Sequence, residues 1–299
     1  MLSADRRTDK QNSKVRTDLV LQGDCSPSLL KRAVIASKSG SVRRHLANDG
    51  AVWRCQDASS GAEFDAIKPQ LAEARIDYAF VPSDLRLGSF SLLVFDMDST
   101  LITIECIDEL ADFADKKKEV AEITATAMRG ELDYSESLKQ RLALLAGLPV
   151  SVLEQVYSQR LQLTSGAREL LASAKLAGLR TAIISGGFTY FSQRLATELS
   201  LDYSVSNILA IEKGKLTGKV VGELVDASAK MRHLQRLQTE LAITSEQCIA
   251  IGDGANDRLM LQAAGFSVAF HAKPVLSEAT TVAIRYGSLA RLLPLFQTV

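Results

Sequence analysis

Two aspartates separated by a single residue, Asp96 and Asp98, follow a short apolar run at residues 92–95 and precede Ser99 and Thr100. The run predicts a buried strand of a parallel sheet, and ligands of open α/β sheets bind at the carboxyl ends of such strands. Two carboxylates this close need a cation or a shared proton to offset their repulsion. Because oxygen ligands favour a hard cation, Mg²⁺ is the natural candidate. The alternative interpretation is a helix N-cap, which is the better one for an isolated pair.

Two further apolar runs end in the same kinds of residue. The run 181–184 leads into Ser185, Gly186 and Gly187, and the run 248–251 leads into Asp253, Asn256 and Asp257. Three predicted strands that all end in small polar or acidic residues favour one shared phosphate and metal site over three unrelated helix caps.

The aspartate pair is suited to phosphoryl transfer. Asp96, at the end of its strand, can attack phosphorus in line and become an aspartyl-phosphate. Asp98 lies on the same side of the chain, where it can protonate the leaving oxygen and then activate water. One carboxylate as nucleophile and one as acid–base explains why both are needed.

The other strand ends offer phosphate and metal ligands. The Ser185 hydroxyl and the backbone N–H groups of Gly186 and Gly187 are suited to phosphoryl oxygens. Asn256 is suited to hydrogen bonding with the phosphoryl group. The predicted metal ligands are Asp96, Asp98, Asp253 and Asp257.

Composition narrows the class of protein. A chain of 299 residues has room for one large and one small domain, and 46% hydrophobic with 23% charged residues is typical of a globular protein. The net charge of zero gives no electrostatic reason to expect a nucleic acid or a membrane as partner. No apolar run approaches the roughly 18 residues that span a bilayer, and the polar N-terminus does not resemble a signal peptide.

The cysteines exclude one rival chemistry and indicate a compartment. Cysteine-based phosphatases need an arginine six residues after the nucleophile, and here those positions hold Lys31, Gly61, Asp112 and Gly254. The four cysteines are scattered and include no C-x-x-C pair, which favours a reducing, cytoplasmic location.

The elements that must position these residues form a predicted α/β fold with a doubly wound parallel sheet. Residues 1–17 are interpreted as a tail, 18–85 as a small α+β domain of βαβαβ-like order, and 86–299 as the catalytic domain. The small domain has strands at 19–21, 51–55 and 78–81 and helices at 27–37 and 62–74, and is interpreted as a packing or dimerisation module. Residues 105–162 have apolar spacings of three and four without strand candidates, which predicts an inserted helical cap.

The motifs Asp-Met-Asp-Ser-Thr, Ser-Gly-Gly-Phe and Gly-Asp-Gly-Ala-Asn-Asp, in this order, resemble the haloacid dehalogenase-like superfamily and, within it, the phosphoserine phosphatase family. The resemblance covers about residue 92 to the C-terminus. It implies Mg²⁺-dependent hydrolysis of O-phospho-L-serine, the last step of serine biosynthesis. It also implies that Asp96 is the nucleophile, Asp98 the acid–base and Asp253 a metal ligand. Ser185 and Lys230 would bind phosphate, although a helix lysine alone is usually a solvated surface group.

The same resemblance assigns substrate-binding residues to the cap. Glu105 would meet the ammonium group and Arg141 the carboxylate, a pairing that suits a guanidinium. Met128 and Tyr134 also match substrate-binding positions, and Tyr134 stands where Phe is more usual. The N-terminal unit resembles ACT-like extensions only in size and element order.

Two other functions stay open on the same scaffold. One is a phosphotransferase that passes the phosphoryl group to an alcohol such as homoserine. The other is a receiver-like signalling protein, which Asp98 argues against because a receiver needs no acid–base residue. The expected partner is a small-molecule substrate, and a homodimer is a further hypothesis.

Overall fold

The computed structural model describes residues 16–47, 49–128 and 131–297, and it contains two sheets. The smaller, called here the N-terminal sheet, has four antiparallel strands in the order β2-β3-β1-β4. Its elements are β1 (Thr17–Gln22), α1 (Pro27–Ala36), β2 (Ser41–Ala47), β3 (Gly50–Gln56), α2 (Ala62–Asp65), α3 (Lys68–Glu73) and β4 (Asp77–Pro82).

Strand β1 is buried on both faces of the N-terminal sheet. Leu19 and Leu21 pack with Phe64 and Leu71 against the sheet's own helices, whereas Val20 points to the opposite face and joins the core of the rest of the molecule. The βαβαβ-like prediction was wrong about this unit, because it missed β2 and the sheet is antiparallel throughout. Strand β2 is exposed along nearly its whole length, so it lacks the alternating pattern that reveals a half-buried strand.

The larger, central sheet has seven strands in the order β11-β10-β9-β5-β6-β7-β8, and only β8 runs antiparallel to its neighbour. The strands are β5 (Leu92–Phe95), β6 (Arg180–Phe188), β7 (Tyr203–Glu212), β8 (Lys215–Val221), β9 (Cys248–Gly252), β10 (Phe266–Phe270) and β11 (Val282–Ile284). The helices between them are α8 (Ala167–Leu176), α9 (Thr189–Glu198), α10 (Ala227–Glu240), α11 (Arg258–Gln262) and α12 (Pro274–Ser277).

Helices cover both faces of the central sheet. Leu93 and Phe95 of β5 pack on the side of α8 and α9, whereas Leu92 and Val94 pack on the side of α10 and α11. The predicted α/β doubly wound fold is therefore confirmed. Near the end of the chain, Leu289–Leu295 form a 3₁₀ helix with Pro294 inside it. Proline removes a backbone donor, which disfavours a continuous α-helix there.

Four helices occupy the segment predicted as the cap: α4 (Cys106–Phe113), α5 (Lys117–Met128), α6 (Tyr134–Ala143) and α7 (Ser151–Gln159). A short antiparallel neck joins this cap to the core, where Thr103 N–H donates to Gln162 O at 2.9 Å. A second attachment runs to β8, because Gly147 N–H donates to Leu216 O at 2.8 Å. Among the described residues, no helix has the length and apolar character needed to cross a membrane.

The N-terminal sheet is bound to the end of the chain by buried charges. Arg54 forms a salt bridge with Asp18 at 3.0 Å and also donates to the carbonyls of Pro294 and Leu295. Asp77 accepts the backbone N–H groups of residues 285–287 and pairs with Arg291 at 2.9 Å. These contacts fix the sheet against the C-terminal segment 285–297.

Candidate active site

The end of β5 places Asp96 at the carboxyl edge of the central sheet. Phe95 lies opposite Ile183 of β6 and Ile251 of β9, so the ends of the three central strands meet at this edge. The Asp96 backbone N–H still pairs with Ile251 O at 2.9 Å, while its side chain accepts the N–H of Met97 at 2.8 Å. The nucleophile candidate is thus held rigidly by the strand it ends, and it is 4% exposed.

Two further carboxylates converge on Asp96. Single oxygens of Asp96, Asp253 and Asp257 all lie within 4.8 Å of one another. Burial, followed by the charges of Asp96 and Asp257, raises the pKa of Asp253 to about 8, and burial with the charge of Asp96 raises that of Asp257 to about 6. A buried cluster of hard oxygen donors that repel one another fits a divalent cation, and this acidic group could hold a metal ion.

Asp98 lies beside this cluster without joining it. Among the described residues, its side chain is not in the converging group, and its carboxylate accepts the N–H of Cys106 at 3.4 Å. Burial and the charge of Glu105 raise the pKa of Asp98 well above its usual value. Asp98 therefore favours the protonated form, as an acid requires.

Lys230 supplies the positive charge of the site. Its ammonium group is completely buried and lies 2.8 Å from Asp96 Oδ1 and 2.6 Å from Asp257 Oδ1. Burial alone would lower its pKa, but the charges of Asp257 and Asp96 raise it above the usual value. The side chain of Asp226 caps the start of α10 by accepting the N–H of Ala229 at 2.8 Å, and this cap fixes the turn that carries Lys230.

The end of β6 brings Ser185 to the same place. Its hydroxyl accepts the N–H of Gly187 at 2.9 Å and is almost fully buried. A Cβ on Gly187 would lie 2.8 Å from Asp98 Oδ2 and 3.2 Å from Ser185 Oγ, so only glycine allows this approach. Ser185 and Asp98 therefore both lie close to Gly187, at the end of the strand next to β5.

The cap contributes one carboxyl group, that of Glu105, and one guanidinium group, that of Arg141. Glu105 accepts the Ser99 hydroxyl at 2.7 Å, and burial raises its pKa. Arg141 is 9% exposed, and among the described residues its Nε has no hydrogen-bond partner and no described ion pair involves its guanidinium. The positive charge of Arg141 acts to lower the pKa of Glu105 and that of Asp108, against the effect of their burial. A buried guanidinium with no such partner is costly unless a ligand compensates it.

The three remaining predicted residues lie at the ends of helices or in a short turn. Tyr134 begins α6, and its hydroxyl reaches Gly186 on the core. Asn256 is half-buried in the short turn Ala255–Asp257 between two acidic residues. Met128 ends α5, but its side chain lies outside the described residues.

Two buried residues near the site were not singled out from the sequence. Thr100 donates its hydroxyl to Asp253 Oδ1 at 2.8 Å, which orients that carboxylate. Asn207 of β7 donates to Gly186 O and accepts the N–H of Val225, both at 2.8 Å, and so ties the end of β6 to the segment before α10. Thr100 stood inside the first motif, whereas a single asparagine in a strand has no signal of its own.

Comparison with known proteins finds similar sequences and similar structures. A family model described as haloacid dehalogenase-like hydrolase matches residues 90–265. A phosphoserine phosphatase from Albidiferax ferrireducens is 50% identical over 232 residues, which cover 76% of this chain and 98% of that one.

Two solved structures are also similar. A HAD family hydrolase from Salmonella enterica serovar Typhi has a TM-score of 0.85 at 30% identity over 95% of this chain and 99% of its own. A phospho-aspartyl intermediate analogue of phosphoserine phosphatase has a TM-score of 0.66 at 38% identity over 70% of this chain and 99% of its own. The chain belongs to the haloacid dehalogenase-like hydrolases and, among them, to the phosphoserine phosphatase family.

Proposed function

We propose that this protein hydrolyses O-phospho-L-serine to L-serine and phosphate, with Asp96 as the covalent nucleophile. One observation carries the choice of substrate. The buried Arg141 guanidinium takes part in no ion pair among the described residues, and its charge acts on Glu105, on which the charge of Asp96 also acts. A cation and an anion beside a phosphoryl site match the carboxylate and ammonium groups of a phosphorylated amino acid.

In the first step, an Asp96 carboxylate oxygen forms a bond to phosphorus as the bond from phosphorus to the serine oxygen breaks. The leaving oxygen takes the proton of Asp98, whose raised pKa suits it to carry one. The Ser185 hydroxyl, the Gly186 N–H and the Lys230 ammonium stabilise the charge on the phosphoryl oxygens.

In the second step, the Asp98 carboxylate takes a proton from water as the water oxygen attacks phosphorus. The bond between phosphorus and the Asp96 oxygen breaks, which restores the Asp96 carboxylate and releases phosphate. Asp98 regains its proton, so the residue serves as acid and then as base.

The proposed cofactor is Mg²⁺, which Asp96, Asp253 and Asp257 would hold. When bound, the ion neutralises charge on the carboxylates and the phosphoryl group. A role for Asp98 as a further ligand stays a prediction. Thr100 would orient Asp253, and Asn256 would hydrogen bond at the rim of this site.

The proposed substrate contacts are on the cap. Arg141 would bind the carboxylate and Glu105 the ammonium group. Tyr134 and Met128 would line the pocket above the end of β6, where Ser185 binds the phosphoryl group.

The wider proposals concern organisation and place in the cell. We assign residues 18–85 to an N-terminal domain and 86–299 to the catalytic domain with its cap at about 105–162. A cytoplasmic location fits the four buried cysteines, all of them free thiols. A homodimer stays a hypothesis.

One assay separates the candidate activities. Purified protein is incubated with O-phospho-L-serine and Mg²⁺, with and without homoserine, and both free phosphate and phosphohomoserine are measured. Multiple turnovers to free phosphate, unchanged by homoserine, are expected. Phosphohomoserine as the main product would identify a phosphotransferase, and a single turnover would identify a receiver-like protein.

A further inference from the structure

The hydroxyl of Tyr134, on the cap, contacts β6 at Gly186. Tyr134 begins α6, whereas Gly186 follows Ser185 near the end of β6. A Cβ added to Gly186 would collide with the Tyr134 hydroxyl and would lie 3.3 Å from Val225 O. The cap and the core therefore meet at this point closely enough that only glycine fits.

The same hydroxyl is a free donor. It has no hydrogen-bond partner among the residues that the structure describes, and Tyr134 is half-buried. Burial raises the pKa of Tyr134 to about 12, so the group stays protonated near neutral pH. A hydroxyl without a protein partner can donate to a bound ligand, and an anionic phosphoryl oxygen is a strong acceptor.

The surroundings of the hydroxyl indicate which part of a ligand it meets. It contacts Gly186, the residue that directly follows Ser185, and the charges of Lys230 and Asp96 act on it as well as that of Arg141. Lys230 and Asp96 handle the phosphoryl group, whereas Arg141 reads the carboxylate. The contact with Gly186 therefore places the hydroxyl on the phosphoryl side of the site.

We propose that the Tyr134 hydroxyl donates a hydrogen bond to a non-bridging phosphoryl oxygen, so that the cap itself completes the phosphate pocket. This inference rests on the proposed function, because the phosphoryl position is defined by Asp96, Ser185 and Lys230. The contact assigns the two cap residues different tasks. Tyr134 serves every phosphate ester, whereas Arg141 serves only those that carry a carboxylate.

The test compares Tyr134→Phe with wild type in binding and in turnover. Calorimetry with inorganic phosphate and Mg²⁺ should show roughly 10- to 150-fold weaker binding, because one hydrogen bond to a charged acceptor is lost. The kcat/KM should fall by a similar factor for O-phospho-L-serine and for p-nitrophenyl phosphate. The matched control is Tyr157→Phe, which removes another cap hydroxyl, one bonded to Glu198 on α9. It should leave phosphate binding unchanged.

Two results would overturn the inference. One is unchanged phosphate affinity in a Tyr134→Phe protein whose thermal unfolding matches that of wild type. The other is a loss of kcat/KM on O-phospho-L-serine alone, which would place the hydroxyl on the amino-acid part. A wild-type protein that binds phosphate through Tyr134 but does not hydrolyse O-phospho-L-serine would refute the proposed function and leave this inference standing.

Discussion

At the scale of single residues, the site is a balance of buried charges. Lys230 contacts both Asp96 and Asp257, so it neutralises part of a cluster that would otherwise repel itself. Asp253 is left to the Thr100 hydroxyl, which is a much weaker partner than an ammonium group. The site therefore keeps an excess of negative charge, which a bound divalent cation would neutralise.

This excess of charge leads to a prediction for the metal. Asp253→Asn keeps the shape of the side chain but removes one charge, so the apparent Mg²⁺ affinity should fall roughly tenfold or more. Titration of activity with Mg²⁺ measures it, with Asp112→Asn as the control because Asp112 is an acid on α4 outside the cluster. An equal effect of the two variants would contradict the assignment, and so would full wild-type activity after complete chelation.

Arg141 gives a second prediction at this scale. Loss of a charge-assisted hydrogen bond costs about 2–4 kcal/mol, so Arg141→Ala should lower kcat/KM for O-phospho-L-serine roughly 30- to 1000-fold. An aryl phosphate without a carboxylate should be affected much less. The exposed Lys139 on the same helix provides the control, Lys139→Ala. Equal losses on both substrates would mean that Arg141 serves the phosphate or the fold.

The chemistry of the site could be predicted from residue types better than its burial could. Acidic and hydroxyl residues after apolar runs identified Asp96, Ser185 and Asp253 as candidates. Lys230 lies on a helix whose sequence resembles a solvated one, and its burial follows from where α10 packs on the sheet. Asn207 acts through backbone groups of other segments, and such long-range partners leave no local pattern.

At the scale of elements, Asn207 links the two segments that carry the phosphate ligands. Its amide bonds Gly186 O on β6 and the Val225 N–H before α10, and it is almost fully buried. The positions of Ser185 and Lys230 are therefore coupled through one side chain. The strand end and the helix start cannot shift independently while both bonds hold.

Asn207→Ala should consequently lower both stability and phosphate handling. Two buried backbone groups lose their partner, which should reduce the free energy of unfolding by about 2–4 kcal/mol. The kcat/KM should fall on O-phospho-L-serine and on an aryl phosphate alike. Urea denaturation and steady-state kinetics measure the two effects. Asp226→Ala, which removes only the cap of α10 and should cost about 1 kcal/mol, is the comparison. A variant as stable and active as wild type would show that the link is dispensable.

The elements themselves could be predicted where burial leaves a pattern. Strands β5, β6 and β9 are continuous apolar runs, and all three were predicted. Strand β2 has two exposed faces and β11 has three residues, so neither has a readable period. The antiparallel pairing of the N-terminal sheet depends on contacts between distant segments, which local periodicity does not encode.

At the scale of the whole molecule, the N-terminal sheet and the C-terminal segment form one buried electrostatic junction. Asp77 is 2% exposed, accepts three backbone N–H groups and pairs with Arg291. Asp49 pairs with the same arginine at 3.1 Å. The sheet is therefore held by specific bonds in addition to the apolar contact through Val20.

Asp77→Ala should loosen this junction without changing the active site. Because three backbone N–H groups and part of the Arg291 guanidinium lose their partner, the free energy of unfolding should fall by about 3 kcal/mol. Trp53, the one tryptophan of the chain, lies on β3 and reports the N-terminal sheet by fluorescence. In urea, its transition should precede the loss of phosphatase activity, whereas the two should coincide in wild type. Asp65→Ala, which removes an exposed ion pair with Lys68, is the control and should shift neither the fluorescence transition nor the loss of activity.

If the two transitions of Asp77→Ala coincide at the wild-type midpoint, the proposed role of Asp77 in the junction is wrong.

The central claim is that phosphate leaves O-phospho-L-serine by way of Asp96, and trapping the intermediate tests it most directly. Enzyme, Mg²⁺ and O-phospho-L-serine are mixed, quenched in acid within the first turnover and digested, and mass spectrometry locates the phosphoryl group. We expect it on Asp96, and its amount should fall as free phosphate appears once the substrate is used up. It should be absent from Asp96→Asn, which should also lose turnover by several orders of magnitude. A phosphoryl group on another residue, or near-normal turnover by Asp96→Asn, would contradict the account.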